Sequence, residues 1–194
     1  MADSSLLTTL MDYMGFDAEC VARLQALRTR MEPYHPRIVD RFYEAVRNDP
    51  GARAVLQSEA QIQRNRSTLL HWLEGLFTGP YDATYYEKRA QIGRVHVRVG
   101  LEQRYMLGAM NVVRKGLHRA VSDSSPDGLG VSEDHSVIDH ICDIELAIML
   151  ETYREEYVLK NTAAAESLAV MGKVTAGLAH EVRNPLNAAM LQLD

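Results

Sequence analysis

The chain has 194 residues, 46% hydrophobic and 24% charged, a globular composition well away from the low-hydrophobicity, high-charge signature of disorder. With 21 Lys+Arg against 26 Asp+Glu the formal net charge is −5 and no long basic run occurs, so a nucleic-acid partner has no electrostatic support. Two isolated cysteines, Cys20 and Cys142, build neither a disulfide framework nor a thiolate metal site, which points to a reducing compartment. The N-terminus carries no basic leader, and the most apolar stretch, Ile141 to Leu150, is interrupted by Asp143 and Glu145. A cytoplasmic protein with no membrane segment is expected.

No segment alternates apolar and polar residues over several positions, whereas helical spacing recurs throughout, so the fold class is all-α. Pro33, Pro36, Asp49-Pro50-Gly51 and Gly79-Pro80 punctuate the first half. Helices are predicted over about 4–13, 17–31, 36–48, 59–77, 83–97 and 101–121, packed as a bundle. Ser122 to Asp134, rich in Ser, Asp, Gly and Pro, has the composition of an exposed loop. From about Ser136 the chain continues with no Gly or Pro until Gly172, longer than a core helix needs, so a protruding helix is predicted. Leu168, Met171, Thr175, Leu178, Val182 and Pro185 alternate in steps of three and four and predict a dimeric coiled-coil seam.

Within that helix, Gly177-Leu178-Ala179-His180-Glu181-Val182-Arg183-Asn184-Pro185-Leu186-Asn187 resembles the H-box of sensor histidine kinases, matching His-Glu-(aliphatic)-Arg-Asn-Pro-Leu at every position. With Leu178 and Val182 in the seam, His180 falls about 160–200° away and faces solvent. The resemblance implies His180 as phosphoacceptor, Glu181 as the general base taking the proton from the other ring nitrogen, and Asn184 as a phosphatase or positioning residue. Pro185 deletes a backbone donor and loosens the helix just beyond. No Gly-rich phosphate-cradling loop occurs. The chain is therefore expected to be a piece of a histidine kinase, cut at Asp194, inactive alone, and served by ATP and Mg2+ only through a missing catalytic domain.

A second resemblance covers roughly residues 30–158. Trp72 to Asp82, then Ile92-Gly93-Arg94-Val95-His96-Val97-Arg98-Val99-Gly100-Leu101, and Leu146 to Tyr153 are similar to the globin-coupled sensor family. The resemblance implies a globin fold and haem b, with His96 as the proximal iron ligand. Val95, Val97 and Val99 offer an apolar wall, and Gly100 is expected to end the helix and let the next one cross closely. Tyr43, in Arg41-Phe42-Tyr43-Glu44-Ala45, falls where the family presents a tyrosine to bound O2. A hydroxyl donor suits O2, which carries partial negative charge on iron, better than CO.

Asn65, Thr68 and Trp72 lie at steps of three and four and, with Leu69, are candidate distal-pocket residues. Asn65 stands where relatives commonly carry leucine; its amide could donate to the ligand, hold a water or compete with Tyr43. Leu73, Leu76, Phe77, Met106 and Met110 are candidate lining. His71 reads as a surface histidine, and His35, His118, His135 and His140 show no metal-ligand spacing.

Together the resemblances imply a sensor globin domain at 1–158, a helical linker at 159–170 and the start of a dimerisation and phosphoacceptor domain at 171–194. The implied function is haem-based gas sensing, of O2 first, controlling histidine kinase autophosphorylation in a homodimer that serves a response regulator. Alternatives are a redox or CO/NO sensor of the same kinase, or a haem-free globin-fold dimerisation module.

Overall fold

In the computed structural model the backbone is described for residues 3–56 and 58–190, and side chains for 6–56, 58–163 and Met171. Every regular element among the described residues is helical: α1 (Asp3–Met14), α2 (Ala18–Met31), α3 (His35–Asn48), α4 (Pro50–Arg53), α5 (Glu59–Leu76), α6 (Ala83–Arg98), α7 (Gln103–Asp123) and α8 (Val131–Met190), with a 3-10 turn at Glu32–Tyr34. The all-α expectation holds, and the predicted helices match α1 to α3 and α5 to α7 within a few residues. The 3-10 turn and α4 were not predicted, since four residues are too few to show a period.

Helix starts follow short polar side chains. Asp17 accepts from the Glu19 and Cys20 N–H groups at 3.0 Å each, Ser58 from Gln61 at 3.2 Å and Asp82 from Tyr85 at 3.0 Å. Each such cap contributes about 1 kcal/mol by satisfying donors that the first turn leaves free. The start of α8 is corrected from about Ser136 to Val131. Residues 131–135 read as loop because Ser132, Glu133 and Asp134 are polar. Tertiary structure instead buries Asp134, which Arg23 and Arg30 of α2 grip at 2.9 and 3.0 Å.

The chain divides into two compact units, Met1–Tyr153 and Arg154–Asp194. In the first, α3 packs along α7, α5 against α3, α2 against α7 and α1 against α6. Its core is continuous and includes Leu24, Leu27, Leu73, Leu76, Leu117 and Ile148, each at most 1% exposed. The second unit is helical to Met190, with Tyr157, Leu159 and Met171 exposed. Of the predicted seam, the side chains of Leu168, Thr175, Leu178, Val182 and Pro185 lie outside the described residues. No helix among the described residues is long and apolar enough to cross a membrane.

The end of α6 departs from expectation in one respect. A Cβ on Gly100 would meet nothing within 4 Å among the described residues, so no described helix crosses closely there. The glycine is required because its φ is +73°, a left-handed conformation that costs other residues about 1–2 kcal/mol. Gly100→Ala is expected to lower unfolding free energy by that amount in urea titration. Gly108→Ala, on an exposed position inside α7 with open space around it, is expected to raise it by about 0.5–1 kcal/mol.

Candidate functional site

The position of His96 follows from how α6 terminates. Gly100 N–H donates to Val97 C=O at 3.1 Å and Leu101 N–H to His96 C=O at 3.0 Å, the paired bonds of a Schellman cap. His96 thus sits in the last turn, its carbonyl tied into the cap and its ring left to tertiary contacts. Nδ1 is buried and has no hydrogen-bond partner, and neither ring nitrogen bonds a described residue. Burial alone pulls the imidazole below its ordinary pKa, so the ring is neutral near pH 7 and keeps a lone pair.

Val95 and Val99, on either side of His96, are 40% and 45% exposed. An uncharged imidazole could bind iron, and the uncovered apolar side chains beside it could meet a flat apolar macrocycle. Among the described residues no group of three or more His, Cys, Asp or Glu side chains is placed to hold a metal ion without such a macrocycle. These residues fit a haem.

Tyr43 lies in α3, 4% exposed, and burial pushes its phenol up to about 12, with Arg66 opposing the rise. The hydroxyl therefore stays protonated, and it bonds no described residue, so it is a free donor. Phe42 meets its ring edge-on at 5.1 Å, and the Arg66 guanidinium of α5 lies 5.4 Å from its ring centroid. Arg66 also pairs with Asp40, one turn before Tyr43. This clasp between α3 and α5 was missed by sequence reasoning, because Arg66 follows no motif and its partner lies 26 residues away.

On α5, Asn65 and Leu69 are half-buried and Thr68 is exposed, with its hydroxyl donating to Arg64 C=O at 3.2 Å. Trp72 is buried and its indole N–H donates to Glu145 of α8 at 2.8 Å. No hydrogen bond or ring contact among the described residues joins His96 to Tyr43 or to these α5 side chains. His71 is a surface residue, its side chain 89% exposed. Leu73, Leu76, Phe77, Met106 and Met110 are all core. The His118 and His135 rings stack at 4.3 Å, with His118 Nε2 2.9 Å from Asp139. His180, Glu181 and Asn184 fall on the helical backbone of α8, and their side chains lie outside the described residues.

Glu145 was the larger omission. It is fully buried and accepts from Trp72, from Tyr85 OH and from Arg89 Nε, the last at 2.7 Å. Its signal was present in the sequence as a carboxylate inside the apolar run Ile141 to Leu150, but it counted there only against a membrane span.

A helical bundle that ends one helix on a neutral, unpartnered histidine and carries a protonated tyrosine on another has the features of a globin. The Protoglobin family profile matches residues 3–158, and the chain belongs to that family. Among solved structures it is similar to the globin domain of the Geobacter sulfurreducens globin-coupled sensor, with 31% identity and a TM-score of 0.71 over 76% of this chain and 97% of that one. The ferric globin domain of E. coli DosC, at 21% identity and a TM-score of 0.61, covers 78% of this chain and 99% of its own and shares the fold. Among curated proteins, the heme-based aerotactic transducer HemAT of Halobacterium salinarum is 26% identical over 122 residues, 62% of this chain. The match spans 25% of that transducer's length.

His35 gives the domain an acid-sensitive point. It is 4% exposed, stacked on Phe77 at 5.9 Å, with Nε2 buried and unbonded, and burial lowers its pKa against the opposing pull of Glu74 and Glu32. The unfolded chain then takes up a proton that the folded one refuses. Its stability contribution is present above the ordinary value of 6.5 and is lost as pH falls through that value toward the folded pKa. Urea midpoints are expected to drop between about pH 7.5 and 5.5, at a limiting slope of about 1.4 kcal/mol per pH unit per proton, and His35→Phe should flatten the dependence.

Proposed function

We propose that the domain is a haem-based gas sensor, with O2 as its ligand, in which His96 would hold the haem iron and Tyr43 would donate a hydrogen bond to the bound gas. The observation that carries the reading is the buried, unpartnered Nδ1 of His96 at the capped end of α6 in a Protoglobin chain. When bound, haem supplies an iron that reversibly takes a diatomic molecule. Burial keeps His96 neutral and its lone pair available, Val95 and Val99 offer uncovered apolar surface beside it, and Tyr43 keeps its proton to offer. An aerotactic transducer and a globin-coupled sensor among the similar proteins support a sensory role over storage.

Purified protein is expected to show a Soret band, and its absence would refute the haem reading. Tyr43→Phe is expected to speed O2 dissociation about tenfold or more, the worth of one hydrogen bond to a partly charged acceptor, and to leave CO dissociation nearly unchanged in stopped-flow measurements.

We further propose that the sensor controls a histidine kinase through His180, with Glu181 as general base and Asn184 in dephosphorylation, in a homodimer that passes phosphate to a response regulator. The support is the H-box pattern from His180 to Leu186. An added histidine kinase catalytic domain with ATP and Mg2+ is expected to phosphorylate the chain. Label that persists after His180→Gln would exclude this site.

A further inference from the structure

The polar cluster around Glu145 joins α5, α6 and α8 at one buried point. Trp72 of α5, Tyr85 and Arg89 of α6 and Glu145 of α8 are each 8% exposed or less. The Arg89 guanidinium also lies 4.6 Å from the Tyr85 ring centroid and 5.8 Å from that of Trp72, and donates to Trp72 C=O at 3.4 Å. A buried ion pair is a poor route to stability, because desolvating both charges offsets most of their attraction and apolar residues of the same volume often serve as well. What directional bonds add is a fixed register. Of the three donors converging on one carboxylate, the two from α6, Tyr85 and Arg89, set both the rotation and the axial position of α6 on α8, which apolar side chains alone would let slide.

The same stripe of α6 carries His96. Seven residues separate it from Arg89, about two turns and some 20° of azimuth, so the two rise from one face roughly 10 Å apart. Between them, a Cβ on Gly93 would lie 2.1 Å from Thr152 Oγ1, so the α6 backbone rests directly on α8. Thr152 is locked in turn by its bond to Met149 C=O at 2.7 Å. Just past His96, Tyr153 OH donates to Leu101 C=O at 2.7 Å and ties the α6–α7 turn to the same helix. His96 is thus bracketed by contacts with α8 at 145, 152 and 153.

We propose that Glu145 and Arg89 are positioning residues which, with Tyr85 and Trp72, set the attitude of His96 toward the haem iron and carry its displacement on ligand binding to α8. The proposal rests on His96 being the haem ligand. A shift of His96 along or about α6 loads bonds that have defined lengths and angles, and the carboxylate at their centre belongs to α8. The Gly93 contact leaves no slack to absorb the motion.

The test uses the full chain, reconstituted with haem, as wild type, Glu145→Gln and the double variant Arg89→Met/Glu145→Gln. The double variant keeps an acceptor for Trp72 or Tyr85, offers the Gln NH2 in place of the second oxygen, and removes both buried charges, so it decides the question if Glu145→Gln alone does not fold. Three readings are taken: the Fe–His stretching frequency of the ferrous protein by resonance Raman, O2 dissociation, and O2-dependent amide exchange over residues 145–153. Both folded variants are expected to keep the Soret band, shift the Fe–His frequency, change O2 dissociation about fivefold or more, and lose the O2-dependent exchange difference that wild type shows. Variants that keep the wild-type frequency, rate and exchange difference, whatever their stability, overturn the proposal while leaving the haem reading intact. A wild-type chain with no Soret band overturns both.

Discussion

Replacing His96 with alanine is expected to abolish the Soret band, taking haem from about one per chain to nearly none. On the proposed reading the side chain would supply the protein's bond to iron, so its loss would leave apolar side chains that do not hold iron. Added imidazole is expected to restore part of the band, because it returns the missing lone pair to the space the truncated side chain vacates. His71→Ala is the matched control. Its side chain is 89% exposed, with Glu74 at 3.9 Å as its partner among the described residues, and the band is expected to be unchanged. A band that survives His96→Ala and disappears with His71→Ala would move the ligand to α5.

The largest stability effect is expected at Arg89. Arg89→Met leaves Glu145 charged, fully buried and without its cation, a loss of about 3–5 kcal/mol in unfolding free energy. Adding Glu145→Gln should recover most of it, since the amide still accepts from Trp72 or Tyr85 and no charge remains to desolvate. The resulting cycle is expected to show a favourable coupling of about 2 kcal/mol or more between the two positions, read from urea unfolding of all four proteins. Additive losses would mean that Arg89 acts through packing on Trp72 and Tyr85 rather than through the carboxylate.

These two expectations differ in how far the sequence could support them. His96 was singled out by a resemblance carried on one local run, Gly-x-x-His-x-Arg-x-Gly-Leu, and the structure places its ring in the last turn of a helix and the glycine at a left-handed cap. Even there, the role given to Gly100 had to be revised, because a sequence shows that glycine is needed without showing whether φ or close approach requires it. The close approach is at Gly93, against Thr152. Tyr43 was singled out by the same resemblance, but its clasp by Arg66 and Asp40 was not foreseen. Trp72 was read as a pocket residue from helical spacing, which fixes the face of α5 but not the partner of the indole N–H.

The sequence by itself determined the helices and, through its resemblance to globin-coupled sensors, singled out His96 and Tyr43 as candidate positions, because helical period acts within a few residues and the resemblance is carried by local runs. Only the tertiary structure decided that His96 Nδ1 is buried and orphaned, that Asp134 belongs to a helix, and that Glu145 joins three helices. The reason is physical. A buried charge is tolerable only beside its donors, and those of Glu145 lie 56 to 73 residues away, at distances along the chain where no periodicity links one residue to another.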